Sequence, residues 1–163
     1  MSHLDHVAIS TADYPTSLAF YEAALAPLGI KTHMKFEGDE GNVAGPAAGL
    51  LAAWIRHPGH ALLVLAADLA RVTPALLDQL VTGRRADGRI ATAFRHRNGI
   101  PEPLCAIWEP AAAAAIRGAR SPNAPSLRRL LEAADAELLE PQWPGQLDSI
   151  NTPEELAALR DAV

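Results

Sequence analysis

Residues 61–67, with the sequence ALLVLAA, decide the fold of this chain. The run is apolar without interruption, and turn-forming residues bound it: His57-Pro58-Gly59 come before it and Asp68 follows it. An apolar run of this length between turns predicts a strand that is covered on both faces, as in α/β proteins. The rest of the chain is therefore expected to supply helices for both faces of a sheet.

The segments on either side of this strand have helical patterns. Residues 45–56 carry apolar side chains at helical spacing, and Thr73-Pro74 places an N-cap before a proline at the first helical position, which opens a helix over 75–81. Strand and helix patterns then alternate, which predicts an α/β fold with a mostly parallel sheet wrapped by helices. The further predicted strands are 89–95, 104–108 and 136–140, and a polar turn around Asn98-Gly99 separates the first two. The further predicted helices are 111–119, 126–134 and 151–161.

The first 36 residues predict a β-α-β unit. Its parts are a strand over 4–10, a helix over 18–26 and a strand over 31–36. The acidic, glycine-containing residues 37–44 are predicted to form a loop. No repeat or low-complexity linker divides the chain, so we expect residues 1–163 to form a single α/β domain.

Charge and cysteine content exclude several classes of protein. The net charge is −5, which gives no general footprint for nucleic acid. Asp68 and Arg71 interrupt the most apolar segment, so no membrane span is predicted. Cys105 is the lone cysteine and lies in a strand pattern, which predicts a buried thiol rather than a nucleophile. We expect a cytoplasmic protein, and the alternatives of monomer and homodimer stay open.

Asp68 is the strongest candidate for a catalytic residue. Ligands of open parallel sheets bind beyond the carboxyl ends of the strands, and Asp68 stands where the central strand ends. A carboxylate there can hold Mg²⁺, which bridges phosphate oxygens during nucleotidyl transfer. The alternative is a carboxylate with a structural role in the loop.

Five motifs in the same order resemble the molybdenum cofactor guanylyltransferases and their nucleotidyltransferase relatives. The resemblance covers residues 45–163. The motifs are GPAAGL at 45–50, ALLVLAAD at 61–68, VTPALL at 72–77, PLCAIW at 103–108 and INTPEE at 150–155.

This resemblance implies a Rossmann-like three-layer sandwich that transfers GMP from GTP to molybdopterin with Mg²⁺. In it Asp68 matches the metal-binding aspartate. Residues 45–50 match the helix opening near the nucleotide, which makes Gly45, Pro46 and Gly49 candidate binding residues. Asn151 matches an asparagine near the pterin, which makes Asn151 and Thr152 candidate substrate-binding residues. Each has a structural alternative: a helix start for 45–50, and an N-cap for Asn151.

The sequence departs from this family at two points. Ser149 stands where the family has an earlier asparagine, and no glycine-rich basic loop occurs before Gly45. Such a loop grips the triphosphate in the family. Without it most of the phosphate stabilisation is missing, so we expect impaired activity.

Residues 2–36 resemble instead the opening of a glyoxalase/bleomycin-resistance (vicinal oxygen chelate) protein. The resemblance rests on LDHVAIS at 4–10 and SLAFYEAALAPLG at 17–29, and it implies that His6 matches a metal ligand. The later modules that would supply the other ligands are lacking after Asp39, so we expect His6 to be a structural or surface residue. Two alternatives to a nucleotidyltransferase follow. One is a metal-dependent protein of the vicinal oxygen chelate type, and the other is a non-catalytic chimera with a glyoxalase-like segment at 1–38.

Overall fold

The computed structural model describes residues 6–10 (backbone only), 46–66, 68–118, 126–152, 154–155 and 157–158. The helices are α1 (Pro46–Arg56), α2 (Pro74–Gly83), α3 (Ala112–Gly118) and α4 (Leu127–Ala133), and the strands are β1 (His6–Ser10), β2 (Leu62–Ala66), β3 (Ala91–Arg95), β4 (Pro101–Trp108) and β5 (Glu137–Leu139). Each lies where the sequence predicts a strand or helix. The predicted helix 18–26, strand 31–36 and loop 37–44 lie outside the described residues. The single-domain assignment stays a prediction.

The five strands form one sheet in the order β1-β2-β4-β3-β5. β1 runs parallel to β2, and β3 runs parallel to β5, whereas β4 is antiparallel to both of its neighbours, β2 and β3. The described sheet is thus mixed, with two parallel and two antiparallel pairings, and the expectation of a mostly parallel sheet is corrected.

A tight hairpin explains the reversed strand. The His96 N–H donates to the Ile100 carbonyl at 2.8 Å, and the Gly99 N–H donates to the His96 carbonyl at 2.8 Å. Gly99 has a φ of 80°, which glycine adopts without strain. A connection this short cannot carry a parallel crossover. Because β4 alone is reversed, β1, β2, β3 and β5 all end at the same side of the sheet, here called the carboxyl edge.

Both faces of β2 are covered, as its apolar sequence predicts. Leu62 and Val64 point into a core that they share with side chains of α1, α3 and α4. Leu63 and Leu65 point to the opposite face and pack with side chains of α2. Every residue of β2 is buried. Helices on both sides of one sheet give the three-layer arrangement.

The N-terminus of α2 is capped as its sequence predicts. Pro74 begins the helix, and the Thr73 hydroxyl accepts a hydrogen bond from the Leu76 N–H at 3.2 Å. This bond satisfies one of the backbone donors that a helix leaves free at its start. The entry into α2 is therefore fixed directly after the loop that carries Asp68.

A buried ion pair ties the end of α2 to the end of β4. Arg84 follows α2, and its Nε and Nη2 atoms donate to Oε1 and Oε2 of Glu109 at 2.7 and 2.9 Å. Only 10% of the Arg84 side chain and 9% of the Glu109 side chain are exposed. Two parallel hydrogen bonds between charged groups fix both distance and orientation.

In the described part of the chain, the helices are all too short or too polar to cross a membrane.

Candidate functional site

Asp68 lies at the carboxyl edge and is exposed to solvent. β2 ends at Ala66, which pairs with Ser10 at the end of β1, so the loop with Asp68 starts where two strands end side by side. The Asp68 carbonyl accepts a hydrogen bond from the Ile150 N–H at 2.8 Å. The fold therefore brings together two motifs that are far apart in sequence, the segment after β2 and the segment around Asn151.

Thr152, not Asn151, caps the helix that follows. The Thr152 hydroxyl accepts from the Glu155 N–H at 3.2 Å, and Glu155 Oε2 accepts in return from the Thr152 N–H at 3.1 Å and the Asn151 N–H at 2.8 Å. This is a capping box. Pro153 comes directly after Thr152 in the sequence, as proline does at the first helical position. The alternative of Asn151 as N-cap is wrong, and its exposed carboxamide makes no hydrogen bond to the described residues.

The capping box predicts a pH response at this end of the site. Hydrogen bonds from the Asn151 and Thr152 backbone lower the pKa of Glu155. The capping box is therefore fully formed at pH values above the ordinary glutamate pKa, and it is lost as the pH falls through the lowered pKa of Glu155. We expect the Asn151 and Thr152 amide resonances to shift with a midpoint below the ordinary pKa of a glutamate side chain. Glu155→Gln should abolish this titration, and a midpoint at or above the ordinary pKa would contradict the prediction.

The predicted binding residues of the GPAAGL motif lie at the start of α1. Pro46 is the first residue of the helix, Gly49 is exposed, and Gly45 lies outside the described residues. A Cβ built on Gly49 meets no described atom within 4 Å, so protein packing does not require glycine there. α1 packs beside β1, and a short connection joins its C-terminus to the start of β2. Its N-terminus therefore points towards the carboxyl edge.

A cavity of about 470 Å³ also opens at the carboxyl edge. Arg71 borders it from the loop after β2, and the β3–β4 hairpin borders it from the end of β3. The chain that follows β5 closes the remaining side. Its lining residues are Arg71, His96, Arg97, Asn98, Pro141, Pro144, Gly145, Leu147 and Asp148.

This cavity was not predicted from the sequence. Arg71 was interpreted only as an interruption of an apolar segment, and Asn98 only as part of a polar turn. One signal was available, because Arg71 and Arg97 both follow strands that end at the same edge, in loops after β2 and β3.

Gly145 shapes one wall of the cavity. Its φ is 82°, a conformation that favours glycine. A Cβ built there would lie 3.0 Å from Asp148 Oδ2 and 3.1 Å from Arg71 Nη1. The missing side chain thus leaves room for the guanidinium of Arg71 and the carboxylate of Asp148 beside the backbone.

Among the described residues, no three His, Cys, Asp or Glu side chains gather around a metal position. Proteins hold Mg²⁺ through one or two carboxylates together with water and substrate phosphates. Asp68 offers one such exposed carboxylate.

Cys105 does not belong to the site. The residue is fully buried in β4, and burial, with a smaller contribution from the charge of Glu102, raises the pKa of its thiol to about 12. The thiol stays protonated at neutral pH and is not a nucleophile. The prediction of a buried thiol is confirmed.

Comparisons with known proteins confirm the resemblance to the nucleotidyltransferases of molybdenum cofactor biosynthesis. Residues 2–138 match the model of the MobA-like NTP transferase domain. The molybdenum cofactor biosynthesis bifunctional protein of Synechocystis sp. is 30% identical over 118 residues, which are 72% of this chain and 34% of that protein. The chain thus spans about a third of the length of this curated relative.

Two solved structures illustrate the similarity in fold. Molybdopterin-guanine dinucleotide biosynthesis protein A from Archaeoglobus fulgidus has a TM-score of 0.62 at 23% identity, over 96% of this chain and 77% of that one. The 2-C-methyl-D-erythritol 4-phosphate cytidylyltransferase from Thermus thermophilus has a TM-score of 0.60 at 15% identity, over 99% and 98%. At these identities the similarity establishes the fold, and the Rossmann-like α/β expectation is confirmed.

The family match includes the N-terminal segment. It begins at residue 2 and so runs through the residues that resemble a glyoxalase. That resemblance gains no support from these findings and stays a prediction.

Proposed function

Because the chain belongs to the MobA-like NTP transferase domain family, we propose that it transfers GMP from GTP to molybdopterin. One observation in particular supports this proposal. Asp68 is exposed at the end of the central buried strand, and its backbone is bonded to the segment that carries Asn151. The residues that we propose for the metal and for the base or pterin therefore lie at one edge of the sheet.

The proposed reaction requires residues that bind a metal ion and the phosphate groups. In the proposed reaction an oxygen of the acceptor phosphate forms a bond to the α-phosphorus of GTP, the bond to the β-phosphate breaks, and pyrophosphate leaves. Asp68 would hold Mg²⁺, which supplies positive charge to the phosphate oxygens. Pro46 and Gly49 lie on the helix turn that offers backbone N–H groups to a phosphate.

Asn151 is suited to recognise a flat heterocycle. A carboxamide carries a donor and an acceptor side by side, and the edges of guanine and of a pterin present the complementary pair. Its side chain is exposed because Thr152 provides the helix cap instead. We infer that Asn151 contacts the ligand directly, whereas Thr152 positions this segment by holding the start of the helix.

Turnover is expected to be slow. The sequence before Gly45 contains no glycine-rich loop with basic residues. Hydrogen-bond donors that point at the negative charge developing in the transition state contribute much of the rate enhancement in phosphoryl transfer. A chain without such a loop is also expected to bind the triphosphate less tightly. A nucleotide-consuming reaction and a single cysteine fit a cytoplasmic location, and a homodimer stays a prediction.

Calorimetric titration with GTP tests the proposal. We expect saturable binding in the presence of Mg²⁺ that weakens about tenfold or more in Asp68→Asn, because the metal loses its charged ligand. Asp78→Asn is the matched control, since Asp78 is an exposed carboxylate on α2 outside the site. Titration with CTP under the same conditions measures the preference for guanine.

Two results would count against the proposal. One is that GTP with Mg²⁺ gives no binding heat. The other is that Asp68→Asn and Asp78→Asn bind GTP as tightly as the unchanged chain, which would remove Asp68 from the site.

A further inference from the structure

The cavity at the carboxyl edge carries positive charge on two of its walls. Arg71 reaches it from the loop after β2, and Arg97 reaches it from the β3–β4 hairpin. The two arginines are far apart in sequence, and the direction of the strands brings them to the same opening. We propose that this cavity binds a phosphate group of a small ligand between Arg71 and Arg97, without a metal ion.

Arg71 and Arg97 make no ion pair with a described carboxylate, although the Asp148 carboxylate lies near Arg71. Arginines elsewhere on this sheet differ. Arg95 bonds to Glu140 at 2.6 Å and Arg89 bonds to Asp135 at 2.5 Å. Two arginines without carboxylate partners in one concave space leave their planar donors available for an oxyanion, which they bind with two hydrogen bonds each.

Two other polar side chains of the cavity, His96 and Asn98, already make hydrogen bonds within the protein. Nε2 of His96 lies 3.1 Å from Oε2 of Glu102, and Oδ1 of Asn98 accepts from the Ile100 N–H at 3.0 Å. These contacts hold the hairpin in shape. They leave Arg97 as the hairpin's charged group for a ligand.

Asp148 opposes an anion and so provides a sensitive test. Its carboxylate and the Arg71 guanidinium both lie beside Gly145, with Oδ2 and Nη1 3.0 and 3.1 Å from the position of a built Cβ. An anion that approaches Arg71 is therefore repelled by Asp148, and removal of this charge should strengthen binding. A ligand with a hydroxyl or amine donor beside its phosphate would turn this repulsion into a hydrogen bond.

The size of the cavity fits a small phosphorylated compound. A volume of about 470 Å³ falls within the range of about 300–1,000 Å³ that is usual for small-molecule sites. The phosphate could come from pyrophosphate or from a phosphomonoester. The two sources share the oxyanion, and separate probes distinguish them.

The test uses the full chain in EDTA, titrated with inorganic pyrophosphate and separately with glycerol 3-phosphate, and followed by NMR. We expect saturable shifts of the Arg97 and Gly145 amides, with the tighter probe identifying the source. Arg71→Gln and Arg97→Gln should each weaken binding about tenfold, since each removes a charged hydrogen-bond donor. Asp148→Asn should tighten it. Arg128→Gln, on an exposed position of α4, is the control.

Several outcomes would overturn the inference. The first is that neither probe gives saturable shifts. The second is that Arg128→Gln weakens binding as much as Arg71→Gln, which would indicate unspecific attraction by surface charge. The third is that binding needs Mg²⁺ or is lost in Asp68→Asn, which would place the phosphate at Asp68. None of these outcomes depends on GTP binding, so this inference and the proposed function can fail separately.

Discussion

Replacement of Glu109 by alanine is expected to lower the free energy of unfolding by about 3–5 kcal/mol. Glu109 accepts two hydrogen bonds from Arg84, and both side chains are about nine-tenths buried. The substitution leaves the Arg84 guanidinium in a poorly solvated place without its carboxylate, and that cost, rather than the lost attraction, dominates the effect.

Two further variants separate burial from charge. Glu140→Ala breaks the ion pair between Arg95 and Glu140, whose side chains are 44% and 72% exposed. It should lower the free energy of unfolding by less than about 1 kcal/mol. The double variant Arg84→Met with Glu109→Met removes both charges and should recover most of the loss. Urea unfolding followed by circular dichroism measures all three. Equal losses in Glu109→Ala and Glu140→Ala would contradict the buried-pair account.

The second large effect is expected at Asp68. Asp68→Ala should lower kcat/KM for GMP transfer by about 10²–10³-fold. The reason is that the charge of the metal ion that Asp68 would hold contributes several kcal/mol to the stabilisation of the transition state. Stability should hardly change. The side chain is exposed, and the hydrogen bond from the Ile150 N–H goes to the Asp68 backbone, which the substitution keeps.

The control for this prediction is Asp78→Ala, which removes an equally exposed carboxylate from α2 and should leave kcat/KM unchanged. Thermal unfolding of both variants checks that the fold is intact. A decrease of less than about tenfold for Asp68→Ala would show that the carboxylate is not a metal ligand in the reaction.

Local signals in the sequence were strong enough to predict most of the described fold. The apolar run 61–67 predicted β2 and its burial on both faces, and Thr73-Pro74 predicted the start of α2. The direction of β4 was missed, although Asn98-Gly99 indicated a turn. Pairing direction depends on the length of the connection, and a turn between two predicted strands is the sign of an antiparallel hairpin.

The site was predictable only in part. Asp68 could be placed because its position depends on one strand end. The contact between Asp68 and Ile150 joins segments about half the chain apart, and it was not predicted. Prediction of the cavity would have required the strand order as well. Arg71, Arg97 and Gly145 come from three loops whose proximity follows from the order β2-β4-β3-β5. No local pattern encodes that order.

The most direct test of the proposed transfer is to incubate the purified chain with molybdopterin, Mg²⁺ and GTP labelled at its α-phosphate, and to measure both products. The proposal predicts a labelled nucleotide adduct of molybdopterin and an equal amount of pyrophosphate, formed slowly and only with Mg²⁺. If GTP binds but no labelled adduct forms over many hours, or if Asp68→Ala forms it at the same rate, nucleotidyl transfer through Asp68 is contradicted.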